Sequence, residues 1–153
     1  TSMSRGLGDV YKRQPLSHTK TPRKTSTLAT GNAADREMTY RVVAMPADTN
    51  AYGDIFGGWL MSQVDIAGSI LAIREAHGRV ATAAIKEFRF LAPVSVGDLV
   101  SCYADIRHRG KSSIHVHVVA IACRQLDAHR ETVVADATLV YVALGDDGRP
   151  RHL

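Results

Sequence analysis

Apolar and polar positions fall into regular patterns only from Thr39 onward. Residues 40–45 form a short apolar run that stops at Pro46, which predicts a strand. Asp48-Thr49-Asn50-Ala51-Tyr52-Gly53-Asp54 is dense in turn-forming residues and predicts a loop. Gly57-Gly58 then opens a long helix over 59–77, with Gly78 in the position that commonly closes one. Trp59, Leu60, Val64, Ile66, Ile70 and Ile73 put apolar groups around most of its circumference, so the helix is expected to be enclosed by other structure.

After Gly78 the period changes to that of strands, predicted over 80–91, 99–108, 112–126 and 132–144. The clearest alternation sets Ile114, Val116, Val118 and Ala120 on one face and Ser113, His115 and His117 on the other. The turns between these runs are too short for parallel crossovers, so the strands are expected to run antiparallel. One strand, one helix and four further strands imply an α+β fold, with an antiparallel sheet of about five strands wrapped around one long central helix. A single helix covers one side of such a sheet and the edge strands need a partner, which predicts a homodimer.

Composition narrows the class. The 153 residues, 45% hydrophobic and 22% charged, suit one soluble domain with a core of its own. The longest stretch without Asp, Glu, Lys or Arg covers only residues 112–123, well short of the roughly 20 apolar residues of a membrane-spanning helix. Cys102 and Cys123 offer neither a disulfide framework nor a zinc site, and a reducing, cytoplasmic setting is expected. Residues 1–37 hold seven of the 19 basic and three of the 15 acidic residues, so this segment carries the whole net charge of +4. It is rich in Ser, Thr and Gly, and reads as a disordered tail preceding a folded domain over 38–153. Its Asp9-Val10-Tyr11-Lys12-Arg13-Gln14 resembles an in-frame translation of a sequencing-library adapter, so the tail is expected to be partly non-native. It lacks a dense basic cluster, and neither nucleic acid nor membrane is an expected partner.

The chemistry concentrates between Asn50 and Asp65. Two glycines at a helix start leave backbone N–H groups unshielded at the positive end of the helix dipole. That is a site for an anion or for a carbonyl oxygen becoming one; a tight loop-to-helix turn is the plainer reading. Asp65 lies two helical turns beyond Gly58 among apolar neighbours, with no Lys or Arg three or four residues away. Such an acid is solvated, paired or functional. Seven residues separate Gly58 and Asp65 by about 10 Å along the axis, too far to act on one carbonyl within a chain. If they cooperate, Asp65 of one subunit faces the Gly57-Gly58 turn of another. His115 and His117 share a strand face, but no third ligand stands at a clear spacing and no metal is expected.

The run Met45 through Asp65, M-P-A-D-T-N-A-Y-G-D-I-F-G-G-W-L-M-S-Q-V-D, resembles the short cytoplasmic acyl-CoA thioesterases of the hotdog fold. Ala76-His77-Gly78-Arg79-Val80, the stretch from Phe90 to Asp98, and Gly110-Lys111-Ser112-Ser113-Ile114 resemble them too. The resemblance implies hydrolysis of acyl-CoA to a carboxylic acid and coenzyme A, without a cofactor. It implies Asp65 as the catalytic carboxylate, general base or nucleophile, and Asn50 as the catalytic asparagine of the opposite subunit. Gly58, with Gly57 beside it, falls where a backbone N–H polarises the thioester carbonyl. Arg109, Lys111, Ser112 and Ser113 fall where coenzyme A is held, and the assembly implied is a dimer within a hexamer, a trimer of dimers. Each assignment has a plainer reading: an Asx-type turn for Asn50, a solvated hairpin tip for Arg109 and Lys111, helix packing for Ser69. Tyr52 departs from the family, which commonly has a second Asn there, and a phenol there bears on acyl-chain preference. A hotdog dehydratase would want a His beside the acid, and none lies between Asn50 and Asp65. A non-catalytic acyl-CoA-binding regulator would need a DNA-reading module.

Overall fold

The computed structural model describes residues 36–124 and 130–153. In chain order these form β1 (Glu37–Val43), a single 3-10 turn (Pro46–Asp48), α1 (Gly57–Ala76), β2 (Val80–Phe90), β3 (Leu99–Arg109), β4 (Ser113–Arg124) and β5 (Arg130–Ala143). Apart from Arg36 and Glu37, the expected tail lies outside the described residues. Glu37 already pairs with Ala104, so β1 starts three residues before the predicted strand.

The strands align in the order β1-β3-β4-β5-β2, every neighbouring pair antiparallel, and α1 lies against all five. A short hairpin joins β3 to β4, and β4 pairs with β5 from Ser113 opposite Val142 to Arg124 opposite Arg130. Residues 91–98 instead carry the chain from the β2 edge across to β3, so β2 ends beside β5 rather than beside its sequence neighbour. The predicted alternation in β4 is present: Ile114, Val116, Val118 and Ala120 are fully buried on the face turned to α1. They meet Val64, Ala67 and Ala72 of the helix together with Val100, Cys102, Leu139 and Tyr141 of the flanking strands.

Two expectations about α1 need correcting. The helix starts at Gly57 and ends at Ala76, and His77, not Gly78, takes the left-handed closing conformation at φ 49° and ψ 38°. A Cβ on Gly78 would lie 2.9 Å from Nη2 of Arg151, the far end of a flexible side chain. That guanidinium donates to the carbonyls of Ala76 and Leu144, placing a cation at the negative end of the helix dipole. Arg151→Ala is therefore expected to cost about 1–2 kcal/mol, read calorimetrically as a Tm lower by about 3–6 °C. Nor is the helix enclosed within one chain. Ile66 and Ile73 stay 40% and 46% exposed on the side away from the sheet, because a single sheet covers only one side of an apolar cylinder.

Candidate active site

The loop before α1 is closed by its own backbone. Phe56 N–H reaches the Asp48 carbonyl, Asn50 N–H the Asp54 carbonyl, and Thr49 bridges Ile55. Asn50 organises this loop, its Oδ1 accepting from the N–H of Tyr52 at 2.9 Å and of Asp54 at 3.1 Å. The Asx-type turn is thus real, and only the Asn50 side-chain NH2 is left to face a ligand. Tyr52 stands at the loop tip, 92% exposed.

Phe56 supplies no side-chain cap to the helix, and the first amide with an intrahelical acceptor is that of Leu60. Among the described residues, nothing accepts from the N–H groups of Gly57, Gly58 and Trp59, the orphan donors of a helix start. A Cβ on Gly57 would press the Phe90 ring at 3.3 Å, whereas one on Gly58 would meet nothing within 4 Å. Gly58 is therefore an exposed residue whose amide has no acceptor among the described residues. The residue before it, Gly57, lines a cleft of about 340 Å³ together with Phe56, Leu60, Phe90, Leu91 and Val94, an apolar surface suited to a hydrocarbon chain.

Asp65 is half-buried and has no cationic partner among the described residues. Its Oδ1 accepts from the Thr82 hydroxyl at 2.8 Å and lies 3.0 Å from the Tyr141 hydroxyl, which also reaches the Asp65 carbonyl at 2.8 Å. Thr82 and Tyr141 are register partners across β2 and β5, and β2 bulges immediately after Thr82. Bulges of this kind re-aim side chains beside functional sites. Tyr141 is fully buried; burial first, and then the neighbouring Asp65 charge, hold its phenol above the ordinary tyrosine range. Gly68 makes room for it, since a Cβ there would overlap the hydroxyl and sit 3.1 Å from two ring carbons. The sequence pattern points to neither Thr82 nor Tyr141, and only weakly to Gly68. An isolated glycine inside a helical pattern is the one available signal, because it costs stability and usually has a packing reason.

Arg109, Lys111, Ser112 and Ser113 gather at the β3–β4 hairpin, at the far end of α1. Arg109 is exposed, as the plainer reading has it, but it also forms a two-pronged ion pair with Glu75, which holds the Glu75 carboxyl below its usual range and the guanidinium above its own. Lys111 is exposed and has no acidic partner among the described residues. Gly110 N–H donates to Ser113 O, and Ala143 N–H to Ser112 O, so the hairpin has a fixed shape. Glu75 lies about 25 Å along the helix from Gly58 and Asp65 about 10 Å. Within one chain, then, Asn50 lies in the loop that leads into the Gly57-Gly58 helix start, while Asp65 and the hairpin stand further along α1 from Gly58.

The remaining candidates are engaged elsewhere. Ser69 Oγ donates to Ile66 O within its own helix at 2.7 Å. His117 sits between Asp105 and Asp136 on the outer sheet face, and His115 packs edge-on against His108. Among the described residues no group of three or more His, Cys, Asp or Glu is arranged to hold a metal ion, and no helix is long and apolar enough to cross a membrane.

Residues 52–126 match the thioesterase superfamily. Acyl-CoA thioester hydrolase YciA of Salmonella typhimurium is 47% identical over 126 residues, covering 80% of this chain and 93% of the relative. A hexameric thioesterase of Yersinia pestis superposes with a TM-score of 0.73 at 47% identity, over 76% of this chain and 94% of that one. The acyl-CoA hydrolase of Staphylococcus aureus, solved with butyryl coenzyme A and coenzyme A, superposes at 0.69 and 30% identity, over 77% of this chain and 71% of that one. On its sheet wrapped around one helix, its Gly-Gly helix start and this likeness, the chain belongs to the acyl-CoA thioester hydrolase family of the thioesterase superfamily.

Proposed function

We propose that the protein hydrolyses acyl-CoA thioesters to a free carboxylic acid and coenzyme A, at a site shared between two subunits. The observation that carries this reading is the Gly58 amide, without an acceptor among the described residues, at an exposed helix start whose preceding residue, Gly57, lines an apolar cleft. The thioester oxygen accepts from that N–H as it gains negative charge, a contribution of about 3–4 kcal/mol for a typical oxyanion donor. Asp65 of the neighbouring subunit either takes a proton from the water that attacks the carbonyl carbon, or attacks that carbon itself to form a mixed anhydride that water then hydrolyses to the acid and free Asp65. In both courses the C–S bond breaks and the leaving thiolate takes up the proton given up by water. Asn50, donating through its NH2, orients the water or the thioester, and Gly57 lets the chain turn tightly against Phe90.

Sharing follows from spacing, since Gly58 and Asp65 are about 10 Å apart on one helix. The unpaired edge of β2 and the exposed Ile66, Ile73 and Ile85 support self-association of the chain. A hexamer built as a trimer of dimers agrees with the hexameric relative from Yersinia pestis. Lys111, Ser112, Ser113 and Arg109, the last once drawn from Glu75, hold the phosphates and pantetheine arm of coenzyme A. The cytoplasm suits two free cysteines.

The test is release of free thiol from short- and long-chain acyl-CoA, followed with a thiol reagent. Turnover is expected from the wild type. Cys102 will not add to the signal, because burial pushes its thiol up to about 12. Binding without thiol release would favour a regulator, and water release from a hydroxyacyl thioester a dehydratase.

A further inference from the structure

We infer that Tyr141 is a positioning residue for the hydrolysis: its buried hydroxyl pins Asp65 by backbone and side chain, so that Oδ2 is the oxygen that meets water or substrate. The inference rests on the function proposed above and deepens it. Three observations carry it.

First, both donors to the carboxylate converge on Oδ1, from Thr82 at 2.8 Å and Tyr141 at 3.0 Å, and no donor reaches Oδ2 among the described residues. A carboxylate oxygen occupied by two hydroxyls is a poor proton acceptor and a poor nucleophile; the other keeps its lone pairs free. Secondly, the single Tyr141 hydroxyl proton is shared between Oδ1 and the Asp65 carbonyl, the latter at 2.8 Å, so the hydroxyl is referenced to the helix backbone as well as to the carboxylate. The side chain is thereby fixed relative to the helix that carries it. Thirdly, the two donors differ in what could replace them. Thr82 is exposed on an edge strand, where water can take its place. Tyr141 is fully buried between its β2 and β4 neighbours, Thr82 and Ile114, and no water substitutes for its hydroxyl. Gly68 belongs to the same device, because any side chain at that point of α1 would push the hydroxyl off Asp65.

The test compares wild type, Asp65→Asn, Tyr141→Phe, Gly68→Ala and the Gly68→Ala/Tyr141→Phe double variant as assembled full-length proteins. Rates are taken per folded protein at a temperature below every variant's Tm, with acyl-CoA as substrate and coenzyme A binding measured separately. Tyr141→Phe should lower kcat by about tenfold or more while KM and coenzyme A affinity change by less than about twofold, the pattern of a misplaced reacting group. Gly68→Ala should reproduce that loss with the tyrosine still present. In the double variant the kcat losses should not add, since the hydroxyl that the added methyl group displaces is already gone and only ring carbons at 3.1 Å must yield.

An unchanged kcat in Tyr141→Phe, in a wild type that turns over and loses activity on Asp65→Asn, overturns the positioning role alone. So do losses that add in the double variant, which would mark Tyr141 and Gly68 as independent packing residues. A wild type without thiol release, or an Asp65→Asn variant with full activity, overturns the proposed function and this inference together.

Discussion

Asp65→Asn is expected to lower kcat for acyl-CoA by about 10²–10⁴, the range contributed by a positioned general base. The change is nearly isosteric. The amide oxygen can still accept from Thr82 and Tyr141, and the amide nitrogen takes the place of Oδ2. No lysine or arginine pairs with Asp65 among the described residues, so losing the charge orphans no cation. Stability should therefore change by less than about 1 kcal/mol, within the usual span for a substitution that breaks no buried network. Coenzyme A affinity should persist, because the basic hairpin lies about 15 Å further along α1. Steady-state thiol release with calorimetry on the same preparation separates the two effects. A folded Asp65→Asn protein with wild-type kcat would remove the carboxylate from the chemistry and, with it, the reason for an acid in the middle of this helix.

That acid was visible in the linear sequence because it violates a pattern, and patterns are what a sequence displays. The Ile114-Val116-Val118-Ala120 alternation identified the inner face of β4 for the same reason. The glycine pair at the helix start announced bare amides, and the structure has them. Periodicity reports which face a residue occupies, however, not which neighbour it meets. Tyr141 lies 76 residues beyond Asp65 and reaches it only because β5 runs antiparallel to β2 in a register that pairs Tyr141 with Thr82. Nothing local encodes that register. The Glu75–Arg109 pair joins α1 to the end of β3 across 34 residues, so an exposed arginine is also held by an acid that its own neighbours in sequence do not announce. The flank of α1 left exposed in one chain has a related reason. An apolar circumference states that both sides need cover, and one chain supplies only one of them.

Gly58→Pro should lower kcat by about 10²–10³, the usual cost of removing one oxyanion-hole donor, whereas Gly58→Ala should stay within about threefold of wild type. The pair isolates a single hydrogen atom. Alanine keeps the N–H and adds a Cβ where nothing of the same chain lies within 4 Å. Proline removes the N–H at a position in the first helical turn, where its ring geometry is tolerated and the lost donor had no acceptor. The residue before it is Gly57, which has no Cβ for the ring to strike, so the usual penalty on the preceding residue is reduced. The same experiment at Gly57 would be unreadable, because even alanine there would press the Phe90 ring at 3.3 Å and reshape the cleft. KM should change little if the amide meets the oxygen chiefly after charge has developed on it. Equal kcat for the proline and alanine variants would mean that another donor stabilises the oxyanion. The amide of Trp59, next on the same turn and equally without an acceptor, would then be the group to test.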